Sequence, residues 1–199
     1  MAYDPKSTVL MVMDMQRDFC DRDGVFARHG SDVTSIEAIV PTLARVMQAC
    51  KQRRIPVVAT KLTVLLDLDG RAMTLGHLNT LRPFLKTEGF RDGSRGQEVI
   101  PQLPRPDYEV RKWGHSAMYL TELEKVIRSL GARDLVFTGI ATNGVVEATA
   151  RDAVAREFHV TTLRDCVTGY NRELHEASLK NLAFIGRMIS SGEFLAELA

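Results

Sequence analysis

The chain predicts an α/β fold of three layers, in which a doubly wound, mostly parallel sheet of about six strands lies between two layers of helices. Two observations carry this expectation. Short runs rich in apolar residues alternate with helical stretches along the whole sequence, as parallel strands joined by crossover helices do. Several of those runs are also continuously apolar, which is how a strand buried on both faces reads.

The elements follow in order. Thr8 to Met13 (TVLMVM) is the first buried strand, and Ile55 to Thr60 (IPVVAT) is the second, after a helical stretch from about Ser35 to Gln52. From Lys61 to Pro106 glycines and prolines interrupt every period. A segment of that length in a compact domain predicts a functional loop region carrying short helices. Tyr108 to Lys112 (YEVRK) alternates as a strand, Thr121 to Leu130 reads as a helix and Leu135 to Thr138 (LVFT) as another buried strand. A helix from about Asn143 to Glu157, a strand from Phe158 to Leu163, a helix from about Arg172 to Ile185, a short strand Arg187 to Ile189 and a terminal helical turn complete the pattern.

With 199 residues and no break in composition, one domain over residues 1–199 is expected. The 26 basic and 25 acidic residues nearly cancel, which argues against nucleic acid or a membrane surface as partner. The opening segment has neither a basic leader nor an apolar stretch long enough to span a bilayer, so a cytoplasmic address is expected. Cys20, Cys50 and Cys166 are odd in number and show no CxxC spacing. They are expected to be reduced thiols.

Ligands of open parallel sheets bind beyond the carboxyl ends of the strands, so the polar residues that end apolar runs carry the functional reading. Asp14 ends the first run. It can act as a helix cap or as a reactive carboxylate, and its type fits both. Lys112 ends the Tyr108 strand on the same face as Val110, where partial desolvation favours a carboxylate partner; a snorkelling surface lysine is the alternative. In TGIATNGVVEATARDA a strand runs through Gly139 into a helix capped by Thr142 or Asn143. Such a turn points its first N–H groups, Gly144 to Val146, at the crevice. Trp113, His115 and Met118 follow Lys112 and are candidates for lining a pocket.

Three segments, VLMVMDMQRDFC, VRKWGHSAMYLTELEKVIRSLGARDLVFTGI and GIATNGVVEATARDA, together resemble the isochorismatase-like hydrolases, the superfamily that includes nicotinamidases and other cysteine amidohydrolases. The resemblance covers nearly the whole chain and implies a Rossmann-like fold of the isochorismatase type. It implies that Asp14 is the acid-base carboxylate and Lys112 its charged partner. Aligned on Glu147 and the following Ala150-Arg151-Asp152, the family's nucleophilic cysteine falls at Val145. The resemblance also implies a cis peptide between Ile140 and Ala141. The expected substrate site comprises Gly144 and Val145, whose N–H groups would orient the substrate, with Ala141 and Trp113 beside them.

Valine cannot attack a carbonyl, which closes the covalent thioester route at position 145. Isochorismatases proper also lack this cysteine and hydrolyse a vinyl ether by protonating its double bond. The expected activity is therefore hydrolysis of a small anionic molecule by Asp14 acid-base chemistry. Two alternatives stand beside it: an amidohydrolase using another residue or activated water, and a non-catalytic small-molecule-binding relative. Nicotinamidases hold a metal with an Asp and two close His after the second strand, where this chain has Asp67, Asp69 and a lone His77. No metal and no cofactor are expected, because a metal needs three or four convergent ligands. Relatives assemble as dimers or larger oligomers, so a homo-oligomer is expected.

Overall fold

A computed structural model describes residues 3–198. Six strands, β1 (Thr8–Met13), β2 (Val57–Leu62), β3 (Tyr108–Lys112), β4 (Asp134–Ile140), β5 (His159–Thr168) and β6 (Arg187–Ile189), form one sheet in the order β3-β2-β1-β4-β5-β6. Every pairing is parallel. The order reverses between β1 and β4, and this switch point opens a crevice at their carboxyl ends.

Helices cover both faces, so the fold is the three-layer α/β arrangement expected. On one side α3 (Thr34–Gln52) and α8 (Ser191–Ala196) pack Ile36, Leu43, Met47 and Phe194 against Leu10 and Val12 of β1. On the other, α5 (Leu123–Ser129), α6 (Glu147–Ala155) and α7 (Arg172–Ile185) pack Leu123, Ile127, Ala150 and Leu182 against Val9, Met11 and Met13. All six residues of β1 are buried, which is why its sequence shows no alternation.

Several boundaries differ from expectation, β4 and α5 by a residue or two. β2 begins at Val57 and extends to Leu62, because pairing opens at Leu10↔Val57 and continues on β3 to Leu62↔Lys112. β5 continues past Leu163 to Thr168, since a bulge opposite Phe137 and Gly139 restores its pairing with β4 beyond the polar Arg164-Asp165 pair. The helix expected from Asn143 starts only at Glu147, after a wide turn over Thr142–Val146 in which Gly144 leaves helical geometry.

The Lys61 to Pro106 stretch carries short elements, as expected: α4 (Leu78–Leu81) and 3-10 turns at Pro83–Lys86 and Arg95–Gln97. It also owns a small core, in which Leu75, Leu85 and Phe90 pack with Leu62 and Val64 and with Val25 and Phe26 of α2 (Val25–Arg28). Buried Asp18, in α1 (Arg17–Cys20), accepts hydrogen bonds from the Phe90 and Val25 N–H groups and ties this excursion to the β1 side of the molecule.

Candidate active site

β1 delivers Asp14 to the crevice with its backbone in the left-handed region, φ 50°, a conformation that Asp and Asn tolerate better than most residues. The residue is 2% exposed. Thr60, on β2 beside it, donates its hydroxyl to Asp14 Oδ1 at 2.7 Å and accepts the Asp14 N–H at 3.2 Å. Lys112 reaches over from β3, one strand further out, and places Nζ 2.8 Å from Asp14 Oδ2. The same ammonium donates to the Gly114 carbonyl at 2.8 Å, and Lys112 is 3% exposed.

Burial and the lysine act on Asp14 in opposite directions, and burial prevails. It raises the carboxyl above its ordinary value, and the Lys112 charge and the hydrogen bonds from Lys112 and Thr60 only partly offset it. Asp14 is thereby shifted toward holding a proton, which a general acid requires.

The third wall is the turn after β4. Gly139 at its start has φ 95°, and a Cβ there would lie 2.2 Å from the Met13 carbonyl oxygen, so only glycine lets β4 pass β1 so closely. The Ile140–Ala141 peptide is cis. Val145 is 3% exposed and lines the same cavity as Asp14 and Lys112.

Two expectations for this turn are corrected. Neither Thr142 nor Asn143 caps it with a side chain; the Thr142 hydroxyl instead meets Nδ1 of His175 on α7 at 2.8 Å. The Gly144 N–H does not stand open to a ligand, because the Ala141 carbonyl folds back and accepts it at 2.9 Å and accepts Val146 N–H at 3.3 Å.

The cavity encloses about 280 Å³, at the small end of ligand sites. Ala141, Gly144, Val145 and His115 line it. Trp113 does not. Its ring turns away, with Nε1 donating to the Leu120 carbonyl at 3.1 Å and Arg111 stacked 5.9 Å from its centroid. Met118 is buried in the core beneath α5.

Thr60 holds Asp14 without lining the cavity; in the sequence it ends an apolar run as Asp14 does, and the strand-end rule points to it. Other lining residues were not anticipated. Arg82, Phe26 and Tyr170 also contribute: Phe26 stacks on Tyr170 at 5.2 Å, and Arg82 lies 5.7 Å above the Phe26 ring. No carboxylate among the described residues pairs with Arg82, whose guanidinium donates to the Leu81 carbonyl. Nothing in the irregular sequence around Arg82 signals this.

The thiols stand elsewhere. Cys20, Cys50 and Cys166 are buried and none of them lines the cavity. Burial pushes the Cys20 thiol well above its ordinary value, and those of Cys50 and Cys166 up to about 12. Among the described residues no three His, Cys, Asp or Glu side chains gather as metal ligands, and no helix is long and apolar enough to cross a membrane.

Comparison with known proteins matches the isochorismatase domain to residues 8–193. A ureidoacrylate amidohydrolase of Methylobacterium radiotolerans is 33% identical over 91% of this chain and 75% of its own length. Nicotinamidase 3 of Arabidopsis thaliana is 30% identical over 91% of this chain and 84% of its own. A cysteine hydrolase from Pseudomonas syringae pv. phaseolicola superposes with a TM-score of 0.88 at 24% identity, covering 99% of this chain and 94% of that one. The zinc complex of a pyrazinamidase from Pyrococcus horikoshii superposes with a TM-score of 0.76 at 25% identity, covering 92% and 99%.

Proposed function

The chain belongs to the isochorismatase domain family and is a hydrolase, and from that premise we propose that it cleaves a small anionic vinyl ether by Asp14 acid-base chemistry, without a covalent intermediate. One observation carries the reading. A buried Asp14–Lys112 pair and the apolar side chain of Val145 line a single cavity that no thiol enters.

In this reading Asp14, shifted by burial toward its protonated form, transfers its proton to the terminal carbon of the double bond. Lys112, 2.8 Å from Oδ2, stabilises the carboxylate that remains. Water adds to the resulting oxocarbenium carbon, and the hemiketal collapses to a carbonyl compound and an alcohol. Arg82 supports an anionic substrate, being a cavity cation without a carboxylate partner among the described residues.

A second reading is hydrolysis of an amide by water, favoured by the amidohydrolase and nicotinamidase relatives. The test uses 2-methoxyacrylate, whose hydrolysis releases pyruvate, beside ureidoacrylate and nicotinamide. Asp14→Asn keeps a residue that tolerates the left-handed backbone while removing the proton donor. Loss of pyruvate release by about 1,000-fold or more with an unchanged fold is expected, within the range for a general acid. Retained turnover would remove Asp14 from the mechanism, and turnover of the amides alone would establish the second reading.

A further inference from the structure

His29, His159 and His175 each have a ring nitrogen hydrogen-bonded to a side chain, to Glu88 at 2.8 Å, Asp134 at 3.1 Å and Thr142 at 2.8 Å. His77 and His115 have no such partner among the described residues, and of these two only His115 lines the cavity of Asp14 and Lys112. A polar ring without a protein partner, facing a reaction cavity, is available to water or substrate. Asp14 is buried, whereas His115 is exposed, so solvent water has access to its ring.

We propose that His115 is the catalytic base that deprotonates the attacking water, an assignment that rests on the reading of Asp14 as the acid. The proton inventory closes. Asp14 gives a proton to the alkene carbon; water bonds to the oxocarbenium carbon, yields one proton to His115 and keeps the other as the hemiketal hydroxyl. On collapse the hemiketal hydroxyl returns a proton to the Asp14 carboxylate, the C–O bond to the leaving group breaks, and the His115 imidazolium protonates the departing alcohol oxygen. Both residues end as they began, and one water has been consumed.

The charges around the ring agree. Burial first, and then the charges of Lys112 and Arg82 among its neighbours, lower the His115 pKa, while Asp14 opposes them. This favours the neutral imidazole, the state that accepts a proton.

The experiment uses the full chain with 2-methoxyacrylate as probe. His115→Gln is expected to lower kcat about 100-fold, a typical contribution of a positioned base, and to abolish the fall in rate on the acid side of the wild-type profile. His115→Ala is expected to regain part of its rate when imidazole is added. An unchanged kcat and acid limb in His115→Gln, or no response of His115→Ala to imidazole, would overturn the assignment while an inactive Asp14→Asn leaves the Asp14 reading standing. An active Asp14→Asn, or a wild type that releases no pyruvate, would overturn both.

Discussion

The floor and the outer wall of one cavity are built in opposite ways. The floor is set by the sheet: Asp14 and Lys112 line it from strand ends, Thr60 of the strand between them holds Asp14 from below, and all three are buried and cross-linked at 2.7 and 2.8 Å. The wall carrying Arg82 comes from the excursion between β2 and β3, where α4 and a 3-10 turn meet, and Arg82 itself is exposed. A group fixed by the sheet can hold a reacting atom in place, whereas a group on a loop wall selects what enters. Floor substitutions should therefore act on kcat and stability, and wall substitutions on KM.

Lys112→Met is the strongest way to break that division from the floor side. It strands Asp14 in a buried site, and removing one partner of a buried pair costs about 3–5 kcal/mol. Its pH dependence has a definite sign. The Asp14 pKa is already raised in the folded state, and the loss of Lys112 removes the largest influence that lowers it. A group whose folded pKa exceeds its unfolded value contributes stability below the unfolded pKa and loses it as pH rises through the folded pKa. The deficit of the variant should be small near about pH 4 and grow toward about pH 8, as read from Tm across that range. Turnover should fall by at least about 100-fold. An equal deficit at both pH values would mean that Asp14 stays ionised throughout.

Arg82→Gln tests the wall, with a smaller effect. One charge-assisted contact to a substrate anion, at a partly solvated site, is worth about 1.4 kcal/mol, or roughly tenfold in affinity. KM for 2-methoxyacrylate should rise by about that factor with kcat nearly unchanged, and a neutral methyl ester of the probe should show no such difference. A fall in kcat at constant KM would move Arg82 from selection to chemistry and erase the contrast between the two regions.

The same contrast explains what the sequence disclosed. Asp14 and Lys112 are legible because each ends a strand, the first continuously apolar and the second alternating, and strand ends converge by topology. α7 was legible to the residue because Asn171 caps it, accepting the Leu174 N–H at 2.9 Å. Thr60 ends a run of the same kind, but its role appears only once the register Met13↔Thr60 sets it beside Asp14. Arg82 lies where no period exists, so its position depends on tertiary packing by Leu85 and Phe90. Trp113 was misplaced for a related reason: β3 ends at Lys112, and beyond the ladder neighbourhood in sequence no longer fixes direction. The Gly144 amide was misjudged because a tight turn and a wide one share the same residues. The turn as folded sets both the Gly144 and the Val146 N–H onto the Ala141 carbonyl.

The smallest expected effect bears on the absent covalent route. If a thiol outside the turn had taken over as nucleophile, it would have to be Cys20, Cys50 or Cys166, since no other cysteine exists. Each is buried and none lines the cavity, and burial raises each thiol pKa, which suppresses the thiolate that alkylating reagents and carbonyl carbons both require. Iodoacetamide at about pH 7.5 should therefore leave the rate of the native protein unchanged within error, and Cys20→Ala, the substitution nearest Asp14 in sequence, should keep wild-type kcat. Time-dependent inactivation that the substrate protects against, and that Cys20→Ala abolishes, would show a mobile thiol reaching the floor. The site would then be a displaced cysteine hydrolase instead of an acid-base one, and the buried Asp14–Lys112 pair would serve that thiol.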